Sequence, residues 1–78
     1  MKLIYDSGHN IAYLRLHEKT VQVQTLHLSD EVNVDIAPDG TVYGIELLNA
    51  NEQLCSEDGG NLVVVNEARG DRREIPLE

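Results

Sequence analysis

The sequence describes a mainly β chain with one short helix, an α+β domain built on an antiparallel sheet. Three observations carry this. Apolar residues come in short runs, and Val21-Gln22-Val23-Gln24-Thr25 and Glu31-Val32-Asn33-Val34-Asp35-Ile36 alternate with the two-residue period of a strand. Ala37-Pro38-Asp39-Gly40-Thr41 is the strongest turn signal in the chain. Only the stretch from Asn49 onward carries a helix start.

Taken in order, Lys2-Leu3-Ile4-Tyr5 predicts a first strand, stopped by Asp6-Ser7-Gly8-His9-Asn10. Ile11-Ala12-Tyr13-Leu14-Arg15-Leu16 predicts the second and forms a hairpin with the first. After the polar connection His17-Glu18-Lys19-Thr20, a third strand runs over 21–25, with Leu26-His27-Leu28 prolonging it or bending away. Ser29-Asp30 breaks the chain before the strand at 31–36, and 41–48 returns antiparallel. Pro38 presets φ, Asp39 suits the next turn position, and Gly40 accepts the positive φ that follows. Residues 1–48 are therefore expected to form an antiparallel meander.

Two registers suit this last hairpin. A bulged turn pairs Ile36 with Val42, Val34 with Gly44 and Val32 with Glu46, so that Tyr43, Ile45 and Leu47 point away from Val32, Val34 and Ile36. The other pairs Val34 with Tyr43 and Val32 with Ile45, giving one oily and one polar face. Turn chemistry favours the first. The sheet is then two-sided and needs cover from the C-terminal segment or a second subunit, which makes Tyr43, Ile45 and Leu47 candidate interface residues.

Asn49 is placed to cap a helix over 49–57, with Glu52 in the capping-box position and Ala50, Leu54 and Cys55 facing inward. Glu57-Asp58-Gly59-Gly60 ends it. Leu62-Val63-Val64-Val65 reads as a buried-type strand. Residues 66–78 either turn at Ala68-Arg69-Gly70-Asp71 and return as a strand over 73–77, or form a tail.

Seventy-eight residues make one domain with a small core, and without Trp or Phe the buried area must come from Leu, Ile and Val. A chain so poor in large side chains gains by self-association, with a dimer favoured. Fourteen acids against six bases give a net charge of −8, all of it on residues 1–68, since 69–78 hold three of each sign. Such a body repels phosphate backbones, so no nucleic-acid partner is expected; the charge serves solubility or, on the sharper reading, meets a basic protein partner. The single Cys55 forms no internal disulfide, and no window approaches a membrane span, so the expected location is cytoplasmic, with no membrane partner.

Tyr5-Asp6, the strand Ala12-Tyr13-Leu14-Arg15-Leu16, and Asp39-Gly40 followed by Gly44-Ile45-Glu46-Leu47-Leu48 carry a family resemblance. The chain resembles the small prokaryotic proteins grouped as domain of unknown function DUF2283 over about residues 1–54. The Asp-Gly and Gly-Ile-Glu spacing matches, whereas Ala12 and Tyr13 are adjacent where the family pattern has a residue between them. The resemblance implies a stand-alone domain without an established activity, and a pairing with small toxin-like proteins, an antitoxin-like role.

Few residues invite chemistry. His9, His17 and His27 lack metal-ligand spacing, and Cys55 has no cationic neighbour in sequence. Neither a metal nor a cofactor is expected, and no residue is assigned a catalytic role. Asp35 and Glu46 are the candidate functional or structural carboxylates. In the bulged register they lie on opposite faces, and Glu46, opposite Val32 on an apolar side, needs a partner such as Arg15 or Lys2. The expected function is a non-enzymatic interaction domain that self-associates and binds a protein. The alternatives are a purely structural homo-oligomer and a small metal-dependent enzyme with its site at a subunit interface.

Overall fold

The computed structural model describes residues 1–77. Among these residues, seven strands form two antiparallel sheets: β1 (Lys2–Asp6), β2 (Ile11–Arg15), β3 (Gln24–Ser29), β4 (Val32–Ile36) and β5 (Val42–Leu48) make the first. After the helix α1 (Ala50–Cys55) and a 3-10 turn at Asp58–Gly60, β6 (Asn61–Asn66) and β7 (Asp71–Pro76) make the second. The mainly β architecture with one short helix is as the sequence implies.

The five-stranded sheet has the order β1-β2-β5-β4-β3. β3, β4 and β5 form a meander, but β5 then pairs with β2. The 16–23 connection must therefore cross from β2 past β5 and β4 to the far edge. It accounts for one boundary correction: Val21-Gln22-Val23 alternates like a strand but lies in the crossover, and β3 begins at Gln24 and runs through Leu26-His27-Leu28.

The Pro38 turn forms as its residues dictate. Gly40 N–H donates to the Ala37 carbonyl at 2.9 Å, Ala37 N–H donates to the Thr41 carbonyl at 2.9 Å, and Gly40 sits at φ 92°. Ile36 pairs with Val42, as expected from the bulged turn, but Asp35 pairs with Gly44 and leaves Tyr43 as an extra residue. This second irregularity shifts the rest of the ladder: Val34 pairs with Ile45, Asn33 with Glu46, and Val32 with Leu47. Neither expected register is therefore correct below the turn.

The sheet is consequently one-sided in character. Alternation along the paired strands puts Leu3, Tyr5, Ala12, Leu14, Ile45, Leu47, Val32, Val34 and Leu26 on one face. Tyr13, Gly44, Glu46, Asn33, Asp35, Thr25 and His27 lie on the other, with Ile4, Ile11 and Leu48 toward its β1–β2 end. Ile45 and Leu47 share the face of Val32 and Val34 rather than opposing it, so the apolar side chains of β3, β4 and β5 gather on one surface.

Helix α1 closes one corner of the apolar face. Its cap is not the expected one: Asn49 is left-handed at φ 52° and makes no side-chain cap bond. Asn10, also left-handed, does the work from a distant hairpin, since Ala50 N–H donates to its carbonyl (3.1 Å) and Asn51 N–H to its Oδ1 (2.8 Å). The Tyr5 hydroxyl reaches the helix from below, donating to Asn51 Oδ1 at 2.5 Å and lying 3.5 Å from Cys55 Sγ. Gln53 Nε2 donates to the carbonyls of both Leu48 and Glu31.

The core these contacts enclose is small. Among the described residues, only Ala12, Ala37 and Ala50 are buried apolar residues, and no large side chain is fully buried. Residues 66–77 are not a tail: the chain turns at 67–70 and returns as β7, pairing Leu62 with Ile75 and Val64 with Arg73. This hairpin packs beside α1 and the 3-10 turn; Val63 is half-buried, while Leu62, Val64, Val65 and Ile75 remain exposed.

Candidate functional site

The polar face of the sheet holds a cluster of hydrogen-bonding side chains centred on Asp35. This carboxylate is buried, at 7% exposure, in mid-strand on β4. Thr25 of β3 donates its hydroxyl to Oδ1 at 2.6 Å, and Tyr13 of β2 donates to Oδ2 at 2.7 Å. Lys19, carried over this face by the crossover, places Nζ 2.8 Å from Oδ2 and 5.3 Å from the centre of the Tyr13 ring.

Tyr13 can reach across because the intervening strand has no side chain in its way. Gly44 of β5 lies between β2 and β4, and a Cβ there would collide with the Tyr13 ring and hydroxyl. The glycine is required for close approach, not for an unusual backbone angle.

Burial pushes the Asp35 carboxyl up, but hydrogen bonds from Lys19, Thr25 and Tyr13, with the Lys19 charge, outweigh it and hold the group at about 2. The hydrogen bond to Asp35 raises Lys19 above its ordinary 10.5. Burial, followed by the hydrogen bond to Asp35, raises Tyr13 above 10.0. All three groups move away from neutrality. Asp35 stays ionised, Lys19 charged and Tyr13 a donor, which is the reverse of the tuning that acid–base catalysis requires.

A second chain of contacts continues along the face. Asn33 Nδ2 donates to Glu46 Oε1 at 2.9 Å, and His27 Nδ1 lies 2.8 Å from Asn33 Oδ1. Asp35 and Glu46 therefore share a face, where opposite faces were expected. The partner of Glu46 is Asn33 rather than Arg15 or Lys2, because the extra residue at Tyr43 moves Glu46 from opposite Val32 to opposite Asn33. Together with Tyr13, Lys19, Thr25 and Asn33, the two carboxylates line a shallow concavity of about 380 Å³.

The other sequence candidates have separate places. Asp39 Oδ1 accepts the Thr41 N–H at 2.9 Å and so stabilises the Pro38–Gly40 turn. Tyr43 is the extra residue of β5, its ring 5.4 Å from that of His17. His9 bonds to Asp6 at 2.8 Å, and the three histidines thus serve three different regions. Among the described residues, no three His, Cys, Asp or Glu side chains come together as a group able to hold a metal ion. No helix of these residues is long and apolar enough to cross a membrane.

Sequence reading singled out Asp35 and Glu46 but missed Tyr13, Lys19, Thr25 and Asn33. Alternation carries part of the missing signal: Thr25 with His27, and Asn33 with Asp35, are polar residues two apart on strands whose intervening positions are apolar. Lys19 has no such signal, since it sits in an irregular connection.

No curated protein and no solved structure matched the chain. A family model described as protein of unknown function (DUF2283) matches residues 2–51, the whole five-stranded sheet with the start of α1, and the chain belongs to that family.

Proposed function

We propose that this protein is a small non-enzymatic interaction domain that self-associates, and that the apolar face of the five-stranded sheet is its association surface. One observation carries the reading. Among the described residues, the strands place no charged side chain on that face in a chain that is 26% charged, yet every large apolar side chain on it remains partly exposed. Contiguous apolar surface of this kind marks an interaction site.

The occupant is a second copy. Two bodies that each carry −8 repel wherever charged surfaces meet. A charge-free face lets two copies associate without desolvating a charge, and each supplies the large buried side chains that the other's core lacks. The polar face contributes a rigid backing, its groups satisfied within one chain.

Sedimentation velocity on the full chain at micromolar concentration tests this. The expected species has twice the 8.7 kDa of one chain. Leu26→Lys, at the rim of the face, shifts it toward monomer. A folded wild-type chain that sediments as a monomer across the range overturns the reading.

A further inference from the structure

The C-terminal hairpin lies beyond the family-matched sheet, and its placement is unusual for a strand pair so rich in valine. An isolated two-stranded ribbon is marginal in water. Yet Leu62, Val64, Val65 and Ile75 of β6 and β7 are all exposed, Val64 at 49% and Ile75 at 48%. Register puts Leu62, Val64 and Ile75 on one side of the ribbon together with Arg73. Arg69 and Arg72 are paired with Asp71 and Glu74, but among the described residues Arg73 has no carboxylate within ion-pair reach. One side of the hairpin therefore offers an apolar strip flanked by an unpaired cation.

The base of the hairpin is fixed. Gly60 is buried, its N–H donates to the Glu57 carbonyl at 3.0 Å, and its carbonyl accepts the Leu77 N–H at 3.3 Å. Positive φ at Asp58, Gly59 and Gly60 turns the chain there. These contacts hold the ribbon beside α1.

We infer that the hairpin is an exchanged arm: in the dimer, the Leu62–Val64–Ile75 side of one copy lies over the apolar sheet face of the other, with Arg73 directed to the acidic body formed by that copy's residues 1–68. The inference rests on the self-association reading and names the element that does the covering. Charge selects this arrangement over direct apposition of two sheets. Residues 69–78 are neutral and hold three of the chain's six bases, whereas residues 1–68 carry the full −8. An arm of this composition separates two acidic bodies and brings a cation to each. Dimensions agree: six residues of strand span roughly 20 Å, close to the width of five strands at about 4.8 Å spacing.

Single-cysteine variants in a Cys55→Ser background test it. Val64→Cys and Ile45→Cys chains are mixed and oxidised, and sedimentation is run on the same samples. The expected result is a disulfide between position 64 of one copy and position 45 of the other. Val65→Cys, on the opposite side of the ribbon, should link far less, and Arg73→Glu should weaken the dimer several-fold. A dimer that yields only 45–45 links, or links positions 64 and 65 equally well, overturns the arm while leaving self-association intact. A monomer overturns both.

Discussion

The ring of Tyr13 lies over Gly44, and through the space that this glycine leaves open its hydroxyl reaches Asp35, two strands away. Three neighbouring strands are thus joined on one face by a contact that a single methyl group would block. The arrangement predicts a specific coupling. Gly44→Ala should destabilise the chain by about 1–3 kcal/mol in urea unfolding, the usual cost of forcing atoms into a filled site. Tyr13→Ala should remove most of the added penalty, so that the two changes together cost less than their sum.

Acid should expose the Asp35 network. The carboxyl titrates at about 2 in the folded chain against 3.8 for an ordinary aspartate. A depressed folded value means that its contribution is complete above about pH 4 and is lost as pH falls through about 2, and the shift corresponds to on the order of 2 kcal/mol. Urea unfolding between pH 2 and 5 should show this slope, and Asp35→Asn should flatten it. An unchanged slope in the variant would assign the acid sensitivity elsewhere.

The extra residue in β5 should be dispensable to the faces of the sheet. Tyr43→Ala keeps the residue count and should leave a cooperative fold with a modest loss of stability. Deleting Tyr43 would place Val42 and Gly44 next to each other opposite Ile36 and Asp35, a regular ladder that keeps Ile45 and Leu47 on the face of Val32 and Val34. Circular dichroism and dye binding should then report a chain that still unfolds cooperatively and exposes no new apolar surface.

Helix α1 should loosen when Tyr5 loses its hydroxyl. Tyr5→Phe removes the bond to Asn51 and the contact with Cys55, at a cost of about 0.5–1.5 kcal/mol. Cys55 should also react faster with a thiol reagent, because the residue is only half-buried and the helix above Tyr5 holds it in place.

Strand positions and the Pro38–Gly40 turn were legible in the sequence because alternation and turn chemistry are local. The register was not. A residue such as Tyr43 carries no mark of being surplus, and a shift of one reverses every face beyond it. Glu46 consequently read as an apolar-side carboxylate in need of an arginine, while its real neighbour is Asn33. Asn49 read as a cap because asparagine suits that role, but it suits a left-handed backbone equally well, and Asn10 caps instead. Lys19 was illegible for a different reason: its meeting with Asp35 depends on the strand order, which sends the connection across the sheet, and no local pattern encodes that order.

Helix α1 also has a mechanical consequence. Asn51 is tied to Ser7 and Asn10, and Gln53 to Leu48 and Glu31, so the six-residue helix works as a clasp on several strand ends. A load pulling on the C-terminus reaches this clasp before it reaches the β ladder. Under tension the ribbon and then the clasp should peel away one bond at a time at low force, while the five strands behind them stay shut until they are sheared together.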